Sequence, residues 1–323
     1  MTSALRGVFA PIVTPFRPAD GEIDTPWMAE HIAYLRAQGC DGLVAGGTNG
    51  EAASLSVTER MQVLETALKH AEGLPVLAGT GAAALPDAIA LTRHAFAAGA
   101  AAVLVVPPFF FKRPADAGIA AWFERLCDAA VPAGGRVLLY HIPQATAVPF
   151  SDELLKMLLG SQGSRIYGIK DSTGDPEQGK HIRATFPELA YFCGNDHLIG
   201  AACADGGAGS ISAAANVFPD VIKTVQAASA LAAARDGRMP DALAAAQATL
   251  DDIRSTFERY PLQPATKTAL VDVAGLPPTA VRPPQVELSP AQRDELRDVL
   301  AVKLAQWRMT SANRTQFSEQ GAP

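Results

Sequence analysis

Arg165 to Asp171, in the stretch RIYGIKDSTGD, reads as a short buried strand with Lys170 near its far end. A lysine is seldom left in a core, because burying its charge is costly unless it is paired or neutralised. One reading is a side chain that snorkels out at the strand end. The other is an amine kept partly desolvated and neutral, able to attack a carbonyl and form a Schiff base. Strand side chains alternate, so Ile166, Gly168 and Lys170 share one face, and Tyr167 and Ile169 share the other. In the preceding apolar run, RVLLYHI, Leu138 and Tyr140 point together and His141 points the other way. A phenol beside an amine suits imine chemistry, because it can shuttle protons as carbinolamine becomes imine. Taken alone, a buried tyrosine is more often a packed aromatic with one hydrogen bond. His141 is read as structural, making one hydrogen bond behind the sheet. A third stretch, GGTNGEAASLS at 46–56, has glycines, Gly47 among them, that let backbone N–H groups approach a ligand. Thr48 and Asn49 add donors suited to a carboxylate, though such clusters also make plain turns. Glu51 either ties this loop down or starts the next helix.

Other chemistries find little support. Cys40, Cys127, Cys193 and Cys203 are widely spaced with no CxxC pair, and read as reduced core thiols. The six histidines show neither HxxxH nor HExxH spacing, so no metal is expected. A net charge of −6 argues against a nucleic-acid partner. No apolar run approaches the ~18–20 residues needed to span a bilayer, so no membrane association is expected. The start, MTSALRGVFAPIVTPF, lacks a basic region followed by a long apolar one, so no secretory signal is expected, and the reduced thiols point to a cytoplasmic protein.

These residues need a scaffold. With 323 residues, 48% of them hydrophobic, the chain is long enough for one large domain and a smaller one. Strand-like runs fall at 7–14, 42–46, 75–80, 101–107, 136–142, 166–171, 190–195 and 209–213. Helix-like segments between them include 25–38, 57–72, 85–99, 115–130, 151–159, 176–184 and 196–205. Apolar strands alternating with helices imply a parallel sheet covered on its outer side. Eight such units over roughly 225 residues fit a closed TIM (β/α)8 barrel better than an open sheet. A doubly wound fold is disfavoured because no GxGxxG follows the first strand. The spacing predicts a barrel over 1–225, a C-terminal helical domain over 226–310 and a polar, frayed tail over 311–323. Its helices are placed at 221–235, 240–258, 265–274 and 290–306, the last capped by Ser289 after a proline-rich connector. In a barrel of this kind the active site lies at the C-terminal strand ends, where Lys170 and Tyr140 stand.

Together these pieces resemble the dihydrodipicolinate synthase/N-acetylneuraminate lyase family of class I aldolases. The matching segments are TPF (14–16), GTNGE (47–51), PPFFFKRP (107–114), YHIPQAT (140–146), GIKDSTGD (168–175), GND (194–196) and GSISAAANVFPD (209–220), in the family's order. The resemblance implies a TIM barrel with a helical C-terminal domain, assembled as a homotetramer, a dimer of dimers. It implies that Lys170 forms a Schiff base with a 2-oxo acid such as pyruvate, and that Tyr140 shuttles protons. Thr48 and Asn49, beside Gly47, match the carboxylate site. Ile211 matches the position whose backbone lines the pocket, and Ser172 a position that touches substrate in some lyase members. No metal or organic cofactor is implied.

Two departures bear on the reaction. Synthase members place an arginine five residues after the tyrosine to bind the aldehyde partner's carboxylate; here Ala145 stands there, and a methyl group cannot replace a guanidinium. Synthase members also use a neighbouring subunit's tyrosine in a proton relay, where this chain has Phe109, Phe110 and Phe111. Both changes argue against the synthase reaction and leave imine formation intact. The expected activity is pyruvate-releasing cleavage of a 4-hydroxy-2-oxo acid, as in 4-hydroxy-2-oxoglutarate aldolase-like members. The alternatives are the synthase, a deoxy sugar acid dehydratase, and a retired family member acting as a sensor or structural partner.

Overall fold

A computed structural model describes residues 4–233 and 241–319. Its eight strands are β1 (Gly7–Pro11), β2 (Gly42–Ala45), β3 (Val76–Gly79), β4 (Ala102–Val105), β5 (Val137–His141), β6 (Ile166–Asp171), β7 (Ala190–Cys193) and β8 (Gly209–Ile211). They pair in parallel and in chain order, and β8 closes back on β1. The sheet is therefore the closed barrel expected from the sequence. Around it lie α1 (Thr25–Ala37), α2 (Val57–His70), α3 (Leu85–Ala98), α4 (Asp116–Ala130), the short α5 (Pro143–Thr146), α6 (Asp152–Gln162), α7 (Pro176–Thr185), α8 (Ile199–Ala204) and α9 (Pro219–Ala233). The segment expected as one helix at 196–205 is divided into a 3-10 turn at Asp196–Leu198 and α8.

The strands sort their side chains into two cores. Val8, Leu43, Val103, Leu139 and Ile169 face outward, into the layer shared with the helices. Phe9, Val44, Leu77, Leu104, Leu138, Tyr140, Phe192 and Ile211 fill the barrel interior. Phe9 and Phe192 meet edge to face there, ring centroids 5.6 Å apart, an arrangement favoured by the ring quadrupoles. That bulk requires a glycine across from it: a Cβ at Gly42 would lie 2.2 Å from the Phe9 ring.

Strict alternation fails at the start of β6. Val137 pairs with Ile166 but Leu138 pairs with Gly168, so Tyr167 is an extra residue in the ladder. A bulge of this kind re-aims the side chains before it. Ile166 consequently joins the outer core and Tyr167 packs against the inner one, its hydroxyl oxygen accepting from the Leu5 amide at 2.9 Å. The shared face expected for Ile166, Gly168 and Lys170 thus holds only for the last two. Gly168 makes room for β7, since a Cβ there would sit 2.3 Å from the Ala190 carbonyl oxygen.

Beyond the barrel come α10 (Asp241–Phe257), α11 (Leu262–Asp272) and α12 (Pro290–Glu319). Helix α9 runs unbroken across residues 225 and 226, where the sequence reading divided the domains; positions 234 and 235 of the helix expected at 221–235 lie outside the described residues. Ser289 caps α12 reciprocally: its hydroxyl accepts from the Gln292 amide and its own amide donates to the Gln292 side chain. Helix α12 continues past 306 and through much of the segment expected as a frayed tail, and residues 320–323 of that tail lie outside the described residues. Cys40, Cys127 and Cys193 are buried free thiols and Cys203 is a half-buried one. No described helix is long and apolar enough to cross a membrane.

Candidate active site

Tyr140 and Lys170 are register partners on β5 and β6, the strands with the longest pairing around the site. Both side chains are buried, at 7% and 6% exposure. The Lys170 ammonium lies 4.0 Å from the centroid of the Tyr140 ring. The Tyr140 hydroxyl is 3.3 Å from Thr48 Oγ1. Burial acts to raise the phenol's pKa, but the charge of Lys170 and hydrogen bonds involving Thr48, Lys170 and Ser172 outweigh it, and the net shift is downward. A phenol made more acidic, touching an amine, is suited to proton exchange with it.

Thr48 is exposed at the mouth of the site, whereas Asn49 is buried and its Nδ2 has no partner among the described residues. A buried amide without a partner is a costly arrangement that a bound acceptor would relieve. The loop carrying this pair is tied down. Thr14 Oγ1 donates to the Gly50 carbonyl at 2.7 Å, and Gln263 Nε2 to the Thr48 carbonyl at 3.2 Å. Glu51, in the left-handed region at φ 52, accepts from Lys267 Nζ at 2.5 Å and from the Arg282 amide at 3.1 Å. Of the two roles open to Glu51, it holds the loop; α2 is started by Ser56 and Glu59 in a reciprocal cap.

Ser172 lies immediately past β6, its amide donating to the His141 carbonyl at 2.9 Å. Its carbonyl accepts from Gln144 Nε2 at 2.6 Å, so Gln144 is occupied. Ile211 is fully buried at the end of β8, in the inner core. His141 faces the outer layer, edge to face with Phe150. The single hydrogen bond expected of it is absent: neither ring nitrogen has a partner among the described residues, and Asp171 stands 3.8 Å away. That carboxylate is already engaged by Tyr191 and Thr173.

Three participants escaped the sequence reading. Gly194 borders the lysine: a Cβ there would lie 2.0 Å from Ser172 Oγ and 3.1 Å from Lys170 Cε. Its GND motif was visible, but the contact needs β7 beside β6. Gln263 braces Thr48 from α11, and no local pattern announces that. Arg60 sits on α2 in an ordinary amphipathic run, yet it lines a cavity of about 510 Å³ with Thr48, Tyr140, Ala145 and Phe109. Phe110 and Phe111 stand outside that lining, exposed and edge to face with each other.

The Dihydrodipicolinate synthetase family model matches residues 4–303. An "Uncharacterized DapA-like lyase" of Chloroflexus aurantiacus is 42% identical over 292 residues, which are 90% of this chain and 95% of that one. A 4-hydroxy-tetrahydrodipicolinate synthase of Roseobacter denitrificans is 38% identical over 226 residues, covering 69% of this chain and 75% of the relative. Among solved structures, YagE, a prophage protein of the dihydrodipicolinic acid synthase family from E. coli K12 in complex with pyruvate, superposes with a TM-score of 0.83. It is 30% identical, and the match covers 93% of this chain and 99% of YagE.

Proposed function

The chain belongs to the dihydrodipicolinate synthetase family and is a lyase, and on that premise we propose that it cleaves a 4-hydroxy-2-oxo acid to pyruvate and an aldehyde through an imine on Lys170. The observation that carries this reading is the buried Lys170 ammonium against the Tyr140 ring, with Thr48 on the phenol. The amine attacks the C2 carbonyl and water leaves, with Tyr140 supplying and recovering protons. The protonated imine then draws in the C3–C4 bonding electrons while the phenolate side of Tyr140 takes the C4 hydroxyl proton. The aldehyde departs, the enamine is protonated at C3, and hydrolysis frees pyruvate. The protonated imine on Lys170 is the electron sink. Thr48, Asn49 and Gly47 hold the substrate carboxylate, Ser172 touches the substrate beside the imine, and Ile211 closes the wall at β8. The fit of a 2-oxo acid is supported by YagE, whose structure holds pyruvate. We also assign a homotetrameric assembly, which the exposed Phe110–Phe111 pair would favour by offering apolar surface.

The second reading is the synthase reaction, favoured by the Roseobacter denitrificans relative. Against it, Ala145 gives the cavity wall a methyl group, Gln144 is committed to the Ser172 carbonyl, and the PPFFF run supplies no hydroxyl. The test is borohydride reduction with pyruvate and mass mapping, followed by turnover assays. A reduced pyruvyl adduct on Lys170 is expected, with pyruvate and an aldehyde released from 4-hydroxy-2-oxo acids. An adduct on another lysine, or none with any 2-oxo acid, removes the mechanism. A dioxo product instead of pyruvate identifies a dehydratase. Condensation of pyruvate with aspartate semialdehyde at a kcat/KM of ~10⁴ M⁻¹s⁻¹ or more restores the synthase.

A further inference from the structure

A second cavity, of about 350 Å³, opens outside the sheet, between the chain entering α6 and the loop that leads into α7. That volume is enough to enclose a small ligand. Its buried lining is His141, 3% exposed, and Phe150, which meets the imidazole edge to face. Asp152 and Asp175 line it as well, and among the described residues no lysine or arginine does. Neither carboxylate is exhausted by its partners. Asp152 accepts from His181 Nε2 at 2.8 Å. Asp175 caps α7 through Oδ1, which accepts from the Glu177 and Gln178 amides at 2.9 and 3.3 Å, and its Oδ2 carries no hydrogen bond among the described residues. His141 has no hydrogen-bond partner at either ring nitrogen among the described residues, and its Nδ1 is 3.8 Å from Asp171. Burial lowers its pKa although the Asp171 charge opposes, so the ring is neutral at pH 7. The nearby carboxylate favours the proton on Nδ1, which leaves Nε2 a bare acceptor. A buried acceptor left unpaired is costly, and a donor brought by a ligand relieves it.

We infer that this cavity binds the guanidinium group of a small molecule, its N–H groups donating to Asp152, to Asp175 and to Nε2 of His141. The sign of the charge follows from the lining: two carboxylates face at most one imidazolium, that of His181. The shape follows from the spacing. Among the described residues no three His, Cys, Asp or Glu side chains are placed to hold a metal ion, so these acceptors do not converge on a point. A compact ammonium meets the same difficulty. A guanidinium is planar and carries five N–H donors directed outward around its edge, so it can span acceptors that stand apart. His141 faces the outer layer while its neighbour Tyr140 faces the barrel interior, so the cavity is separate from the one at Lys170 and the inference is independent of the imine reading.

The experiment is isothermal titration in phosphate buffer at pH ~7.5 on the wild type, Asp175→Asn and His141→Phe. The probes are ethylguanidinium chloride, ethylammonium chloride and ethylurea, the planar uncharged analogue of the first. Ethylguanidinium should saturate a single site on the wild type, with the other two probes at least about tenfold weaker. Asparagine caps a helix as well as aspartate does, so Asp175→Asn removes the charge and keeps α7. In each variant the Kd for ethylguanidinium should rise about 10- to 150-fold, the range of one charge-assisted hydrogen bond. Absence of saturable binding, an equal Kd for ethylurea or ethylammonium, or a Kd unchanged in either variant overturns the proposal. Displacement by an equal concentration of potassium chloride also overturns it, because it marks a screened surface charge. N-acetylarginine amide carries the same group on a piece of peptide chain; a Kd about tenfold below that of ethylguanidinium would assign the site to a protein partner and overturn the small-molecule reading. If His141→Phe does not fold, Asp175→Asn and the ranking of the probes on the wild type decide it.

Discussion

Replacing Glu51 with alanine tests whether the proposed carboxylate site is held by the helical tail. Lys267 is 1% exposed, and its ammonium meets Glu51 at 2.5 Å, the Ala280 carbonyl at 2.7 Å and the Phe16 ring at 4.4 Å to centroid. Burial holds its pKa below the ordinary lysine value, with Glu51 opposing. Removing Glu51 strands that charge and frees the Arg282 amide. Breaking a buried pair by deleting one partner costs roughly 3–5 kcal/mol. At about 2–4 °C per kcal/mol, the melting temperature should fall by about 6–20 °C. The companion variant Glu51→Ala/Lys267→Met removes the stranded charge and should recover most of the loss, since an apolar replacement of a buried pair is often near neutral. Thermal melts of the two variants beside the wild type give the answer, and KM for the 2-oxo acid should rise in both as the Thr48–Asn49 loop loosens. A single variant within about 1 kcal/mol of wild type, by the same conversion, would refute the reasoning. So would a double variant no better than the single one.

Tyr140→Phe keeps the ring over Lys170 and removes the hydroxyl, so turnover should fall by ~10²–10⁴ while borohydride still traps pyruvate on Lys170; an unchanged kcat would make Tyr140 a packing residue. His31 is buried against Trp27, with Nε2 3.1 Å from the Asn216 carbonyl, and burial pushes its pKa from 6.5 down to about 4 despite that hydrogen bond. The unfolded chain then binds the proton more readily between those two values, so stability should be constant above pH ~6.5 and fall by up to about 3 kcal/mol toward pH 4. His141, whose pKa burial also lowers against the opposing Asp171 charge, adds in the same direction. Melts at pH 7, 5.5 and 4.5 should show a shallower acid limb for His31→Gln, and an identical limb would exclude His31 as a source.

The barrel was legible because its strands are short apolar runs at regular intervals, and period-2 alternation told which side chains of β5 point inward. The same rule misassigned Ile166 and Tyr167, because an extra residue in the β5–β6 ladder is set by the neighbouring strand's register and leaves no local mark. Lys170 and Tyr140 could be paired from sequence since their parity and the chain order of the strands are both local facts. Arg60 could not. Its position in VTERMQVLETALKH says only that it lies on a helix, and its role depends on where the end of β3 comes to rest beside it. His141 was placed on the correct side, but its hydrogen-bond count depended on Asp171, which Tyr191 and Thr173 had already claimed.

Residues far apart in sequence also explain why a division near 225 is a poor guide to how the molecule works. From α11, Lys267 fixes Glu51 and Gln263 fixes the Thr48 carbonyl. The following connector sends Arg282 to Glu51, to Glu59 on α2 and to the carbonyls of Ser54 and Gly21. Pro284 and Gln285 then line the cavity itself. Each of these contacts falls on the loop after β2 or on its immediate neighbours, the part of the barrel that carries Thr48 and Asn49. A glycine-rich loop has high conformational entropy, and its donors are useful only where that freedom has been removed. Lys170 and Tyr140 are set by the ends of β5 and β6, and among the described residues the tail reaches Tyr140 only through Thr48. The loop proposed to hold the carboxylate is tied down by the tail, so the two halves of the proposed substrate grip have different structural origins, and a change in α11 or the connector should reach KM before it reaches imine formation.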